Sequence, residues 1–202
     1  MNGLQFPELT RRRLRHFFTL REAAPPQSHE LPARLEKAGL PMAMVAAEQV
    51  HEAGVRKVGR ADAGQVFPGV DALITGEANV SLVVRAADCG PVWLHCGKTG
   101  AIGLVHSGRK GTELGIVSAA VQAMRKEFGA EPAAMVALLG PCIRPPHYDV
   151  DFASEILRQL QREGVGEIVD SGLCTASDPT RFYSYRKEQG KTGRHFAAVA
   201  KG

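Results

Sequence analysis

The tightest constraint on the fold lies in residues 87–112, ADCGPVWLHCGKTGAIGLVHSGRKGT. Two apolar segments, PVWLHC (91–96) and AIGLVH (101–106), are joined by GKTG, four residues with glycine at each end. This pattern predicts a β-hairpin turning at Lys98 and Thr99, in which position 91 faces His106. Cys89 then lies just past that pair, so Cys89 and His106 are neighbours although distant in sequence. His95 and Cys96 fall at the other end of the ribbon. Strand residues at roughly 3.3 Å each put His95 about 20 Å from Cys89, outside a shared coordination shell, and both are read as turn-end residues. The GKTG stretch is not a phosphate loop of the GxxxxGK[ST] type, because the first required glycine position holds Val92.

Around this hairpin the chain alternates short apolar runs with turns. Strands are expected within MAMVAAEQV (42–50), GVRKV (54–58), DALIT (71–75), SLVVRAA (81–87) and AAMVALLGPCI (133–143). A surface loop over 22–32 leads into a short helix at 32–38, stopped by Gly39. One helix is expected in TELGIVSAAVQAMRKEFG, with Thr112 as N-cap, Val117, Val121, Met124 and Phe128 on one face, and Gly129 as stop. A second, amphipathic helix at 151–164 is capped by Asp151. RFYSYR and RHFAAVA, around EQGKTG, read as a closing hairpin. The fold class is therefore α+β, with mixed sheets covered by two main helices.

The length of 202 residues suits one domain. No apolar run approaches the roughly 18 residues of a membrane span, and MNGLQFPELTRRRLRHFF lacks the apolar core of a signal peptide. A cytoplasmic location is expected, and the irregularly spaced Cys89, Cys96, Cys142 and Cys174 then read as free thiols or metal ligands. The net charge of +4 invites a nucleic-acid reading, but RRRLR at 11–15 is the only basic cluster and carries no recognition motif. It is read as a solvated face.

A neighbouring Cys and His have two chemical meanings. His106 can take the proton of Cys89 to make a thiolate nucleophile. Alternatively, both can bind a borderline metal such as zinc, which accepts sulfur and imidazole nitrogen. The metal reading needs a third ligand, and His51, at the end of the AMVAAEQV strand, is the best candidate. The loop HSGRKGT that follows His106 offers glycines and two cations at a strand-to-helix turn. It is either an anion site or a tight turn with exposed basic residues.

The ordered set EQVH (48–51), DALIT (71–75), AADCGPV (86–92), LVHSGRKGT (104–112), GPCI with YDV (140–150) and CT…RFYSYRKEQGKTGR (174–194) resembles the bacterial laccase-domain family. Its members were long labelled multicopper polyphenol oxidoreductases and are now regarded as zinc-dependent purine nucleoside phosphorylases. The resemblance implies a single domain over 1–202 with a layered α/β/β/α fold of mixed sheets, shared with the cytotoxic necrotising factor catalytic domain. It implies the metal ligands His51, Cys89 and His106, a Zn2+ cofactor, and phosphorolysis of adenosine, inosine and methylthioadenosine with adenosine deamination alongside. The small-molecule partners would be a nucleoside and phosphate, with no nucleic acid or membrane, and the chain a monomer.

Two family motifs are altered: QVHG is QVHE, and HAGWRG is HSGRKG with Arg109 in the Trp position. On this reading the catalytic candidates are Cys89, His106, Asp88 and Cys142: Asp88 is an orienting or proton-carrying group or else a strand-end cap, and Cys142 lies near the site, as a reactive group or a packed free thiol. Arg21, Arg109 and Lys110 are the phosphate candidates. A multinuclear copper oxidase is disfavoured, because the chain has seven His in all, several of them badly placed. A single copper centre would want a weak axial ligand such as Met, which these motifs lack. Two alternatives are a metal-free cysteine hydrolase using Cys89 and His106, and a zinc-binding protein without turnover.

Overall fold

The computed structural model describes residues 3–25 and 27–202, so Pro26 of the loop expected over 22–32 lies outside the described residues. Two six-stranded sheets dominate. The site-bearing sheet runs β11 (Glu167–Asp170), β10 (Met135–Leu139), β8 (Gly90–Cys96), β9 (Ile102–Ser107), β6 (Ala72–Thr75), β4 (Val55–Lys57). The second runs β1 (Gly3–Leu4), β2 (Leu14–Thr19), β12 (His195–Lys201), β7 (Ser81–Ala86), β3 (Met44–Ala47), β5 (Val66–Phe67), with the short α1 (Pro7–Thr10) linking β1 to β2. Both are mixed: β11 and β4 join the first sheet in parallel, as β3 joins β7 and β5 in the second, and the remaining pairs are antiparallel.

The β8–β9 hairpin has the expected register. Pro91 faces His106, Gly90 faces Ser107 and His95 faces Ile102, which leaves Cys89 beside the His106 end.

Side-chain alternation sorts the core into layers. Leu73, Trp93, Leu104 and Leu138 of the first sheet meet Phe18, Leu82, Val84 and Val199 of the second. The opposite face of the first sheet, with Ile74, Val92, Leu94 and Val105, packs on α4 (Ile116–Phe128) and α5 (Phe152–Arg162). The outer face of the second sheet, with Phe17, Val83 and Ala198, is covered by Leu31 and Leu35 of α2 (Leu31–Lys37). The order of layers is α/β/β/α. Trp93 bridges the middle: its Nε1–H donates to the Ala198 carbonyl across the sheets at 3.1 Å.

Three sequence expectations are corrected. The helix expected after His106 is two helices, α3 (Arg109–Glu113) and α4, broken by Gly115 in the left-handed conformation (φ 76°). Thr112 is not a cap but a buried residue within α3, whose hydroxyl donates to the Gly108 carbonyl at 2.7 Å. Gly129 and Asp151 do end and cap their helices as expected.

The closing hairpin does not form. Residues 181–186 are irregular: the Tyr183 N–H donates to His195 Nε2 (2.8 Å) and the Ser184 N–H to Glu188 Oε1 (2.9 Å), so side chains take the donors a strand ladder would use. β12 instead pairs with β7 and with β2, a strand not anticipated. Among the described residues no helix is long and apolar enough to cross a membrane.

Candidate metal centre

His51, Cys89 and His106 each offer one donor atom, and these atoms lie within 4.8 Å of one another. Each ligand arrives from a strand end: His51 shortly after β3, Cys89 between β7 and β8, and His106 near the end of β9. The supporting backbone is unusual there. Gln49 (φ 69°), His51 (φ 63°) and Asp88 (φ 86°) are all non-glycine residues in the left-handed region, a conformation held only where surroundings over-determine it. The Gln49 side chain does part of this holding, since its amide bonds both the carbonyl and the N–H of Arg85 (2.5 and 2.8 Å).

Asp71 organises the centre from behind. Fully buried, it accepts the His51 N–H on Oδ1 (3.0 Å) and the Glu52 N–H on Oδ2 (2.9 Å), while His106 Nδ1 donates to Oδ1 at 2.8 Å. A proton fixed on Nδ1 leaves Nε2 of His106 as the free donor atom. Burial alone would raise the Asp71 carboxyl, but the His106 bond and the two backbone N–H groups hold it below its usual range.

The same balance sets the other two groups. Burial raises the Cys89 thiol, yet bonds and charge from His106 and His51 outweigh it and bring it to about 6. Burial lowers His106, yet Asp71 and Cys89 raise it to about 9. The pair thus favours thiolate and imidazolium, and the thiolate is the form that binds a metal. Gly108 leaves room for it, because a Cβ there would lie 2.5 Å from the Cys89 sulfur. Two imidazoles and a thiolate, oriented in advance, fit a borderline cation once His106 gives up its Nε2 proton.

The centre lines a cleft of about 1020 Å³, together with Arg85, Arg109, Tyr148, Tyr185, Arg186 and Arg194. Of the residues expected from sequence, Asp88 and Arg109 line this cleft. Asp88 is already engaged: Thr175 Oγ1 donates to one carboxylate oxygen (2.6 Å) and the Arg186 N–H to the other (2.7 Å). It clamps two later loops to the Cys89 corner.

Three residues lie outside the lining. Cys142 is fully buried in the helix-side core, where burial pushes its thiol up to about 12 and keeps it protonated. Lys110 points to Glu52 (3.1 Å), so the altered residue of QVHE pairs with one of the altered residues of HSGRKG. Arg21 lines a separate cleft, paired with Glu188 and stacked over Tyr183. Conversely, sequence reasoning did not single out Asp71, Arg85, Arg186, Arg194 or the two tyrosines. Most lay inside the quoted motifs, but without the spatial signal that groups them.

The chain belongs to the multi-copper polyphenol oxidoreductase laccase family, whose model matches residues 28–156 and 147–201. It is 31% identical over 193 residues to the purine nucleoside phosphorylase YlmD of Bacillus subtilis, covering 77% of this chain and 69% of that protein. A purine nucleoside phosphorylase of Streptomyces coelicolor is 34% identical over 180 residues, covering 76% and 73%. The crystal structure of YlmD from Geobacillus stearothermophilus shares the fold, with a TM-score of 0.90 over 100% of this chain and 96% of that one, at 24% identity.

Proposed function

We propose that this chain is a zinc-dependent purine nucleoside phosphorylase acting on adenosine, inosine and methylthioadenosine, with adenosine deamination as a second outcome at the same site. The observation that carries the reading is the converging His51–Cys89–His106 set lining a cleft large enough for a nucleoside and phosphate together. The names of the relatives point the same way. Zinc is preferred to copper because the lining includes no methionine to serve as a weak axial ligand. The same proposal takes residues 1–202 as one cytoplasmic, monomeric domain that binds small molecules rather than nucleic acid or membrane.

His51, Cys89 and His106 would hold the metal, and Asp71 fixes the His106 tautomer that leaves Nε2 available. When bound, the metal supplies Lewis acidity at an open coordination position. The arginines hold phosphate so that one of its oxygens faces the anomeric carbon; the carbon–oxygen bond forms as the glycosidic carbon–nitrogen bond breaks and the purine leaves. Tyr148 and Tyr185 give the purine aromatic surface in the same cleft.

A second reading, a cysteine hydrolase, draws on the same Cys89–His106–Asp71 alignment, which would serve a thiolate nucleophile equally well. Metal analysis of the purified chain, with an adenosine-plus-phosphate assay resolved by chromatography, separates the readings. The phosphorylase reading expects bound zinc, release of adenine with ribose 1-phosphate, and loss of both on His51→Ala. Activity that survives His51→Ala and dies on alkylation of Cys89 would favour the hydrolase. Zinc without turnover would leave a metal-binding protein that is not an enzyme.

A further inference from the structure

Cys142 and Cys174 take no part in the proposed reaction, yet the fold brings them together. Strands β10 and β11 run parallel with Leu139 opposite Asp170. Continued unchanged, that register would set Cys142 against Leu173. The chain after β11 takes one residue more, with Gly172 in the left-handed region (φ 67°), and an isolated bridge sets Cys142 against Cys174 instead. Two hydrogen bonds fix this bridge: the Cys142 N–H donates to the Leu173 carbonyl (3.2 Å) and the Thr175 N–H to the Cys142 carbonyl (3.1 Å).

Residues paired in this way lie roughly 4.8 Å apart, inside the Cα separation of about 4.4–6.8 Å that a disulfide spans. The two side chains leave the same face, for Cys142 lies in the helix-side core and Cys174 packs against that core. A disulfide between them needs no backbone movement.

The other two cysteines are directed elsewhere. Gly90 is the β8 residue that faces Cys142, since a Cβ there would lie 3.4 Å from Cys142 Cβ. Cys89, one residue earlier, turns to the opposite face of the sheet, where its sulfur meets His51 and His106. Cys96 ends β8, far from both. Exposure then sets an order of reaction, because Cys174 is partly exposed and Cys142 is fully buried.

We propose that Cys142 and Cys174 form a modification site, a dithiol that a peroxide converts reversibly to a disulfide. The peroxide oxidises the Cys174 thiol to a sulfenic acid and is itself reduced, releasing water. The Cys142 sulfur then attacks the Cys174 sulfur; the S–S bond forms as the S–O bond breaks, and the Cys142 proton leaves with the hydroxyl group as a second water. An external dithiol reverses the change by exchange. The cross-link ties the loop after β10, which gives Tyr148 to the cleft, to the loop after β11, which gives it Tyr185 and Arg186. Neither step uses the metal centre, so the site is independent of the reaction proposed there.

The test is to treat the purified chain with graded hydrogen peroxide, block the remaining thiols with N-ethylmaleimide, and map the digested protein by mass spectrometry without reductant. A Cys142–Cys174 linked peptide pair is expected within one chain, two hydrogens lighter than the separate peptides and removed by dithiothreitol. Cys174→Ser should abolish the link. Cys142→Ser should leave Cys174 as a sulfenic acid, trapped by dimedone several-fold more than in the unaltered chain, because no thiol remains to resolve it. Melting curves check that both variants fold; should the buried Cys142→Ser fail, Cys174→Ser and the unaltered chain still decide the matter. Absence of the linked pair at every peroxide dose that leaves the fold intact would overturn the proposal. So would a pair that forms only in urea, a link between two chains, or Cys142 joined to Cys89 or Cys96.

Discussion

Asp71 is the residue on which the centre turns, since it accepts from both backbone N–H groups of the His51 loop and from the His106 ring. Asp71→Asn keeps the shape but turns an NH₂ group toward one of these donors. Metal affinity is expected to fall roughly 10- to 100-fold, as for other groups that orient a ligand, measured by competition with a chromogenic chelator. Unchanged affinity would remove Asp71 from this role. The ionisation of the metal-free site gives a second test. Cys89 ionises near 6 instead of 9.0, so its stabilising contribution is complete above the unfolded value and is lost as pH falls through 6. His106 titrates near 9 instead of 6.5, so its contribution is complete below the unfolded value and is lost as pH rises through 9. The ion pair therefore occupies the window between about 6 and 9. Alkylation of Cys89 by iodoacetamide, followed by mass spectrometry on chelator-treated protein, should show a midpoint near 6 and be blocked by added zinc. A midpoint at the ordinary thiol value would discount the pairing.

At the scale of elements, the turn from β9 into α3 is shaped by the sulfur it passes. Gly108 has an ordinary φ of −98°, so backbone freedom does not explain it; contact does, because a Cβ would sit 2.5 Å from Cys89 Sγ. Gly108→Ala is expected to displace Cys89 and strip the metal while costing about 1–3 kcal/mol of stability, read from metal content and thermal melting of the same sample. Full metal occupancy in that variant would refute the contact argument. The β8–β9 hairpin was legible in the sequence because its register is set by a turn four residues long, and that register alone brought Cys89 to His106. The partners of β12 were not legible. Ala197 faces Phe18 on one side and Val84 on the other, pairings fixed by burial between two sheets and not by any local pattern. RFYSYR looked like a strand because it is aromatic, yet its N–H groups are claimed by His195 and Glu188. For the same reason Arg186 and Arg194 remained invisible as cleft residues: the loop that carries them is anchored at Arg186 to Asp88, 98 residues earlier.

Across the whole molecule the two sheets share one interior, and Trp93 lies in it, fully buried and bonded to the facing sheet. Because it is the sole tryptophan, its emission reports on contact between the sheets. Urea unfolding followed by tryptophan emission and by far-ultraviolet circular dichroism should give coincident midpoints. Separate midpoints would mean that one sheet survives without the other. The strand order of the second sheet carries a further consequence. β12 lies between β2 and β7, with β1 beyond one and β3 and β5 beyond the other. While the chain is being made, every earlier strand of that sheet can be complete and still have nothing to join its two halves. Until residues 195–201 emerge from the ribosome, β2 and β7 each hold an apolar edge open to any passing strand. The molecule is thus most exposed to mispairing just before its synthesis passes β12, and the insertion of one strand closes the sheet, covers both edges and draws the arginine loops over the metal centre together.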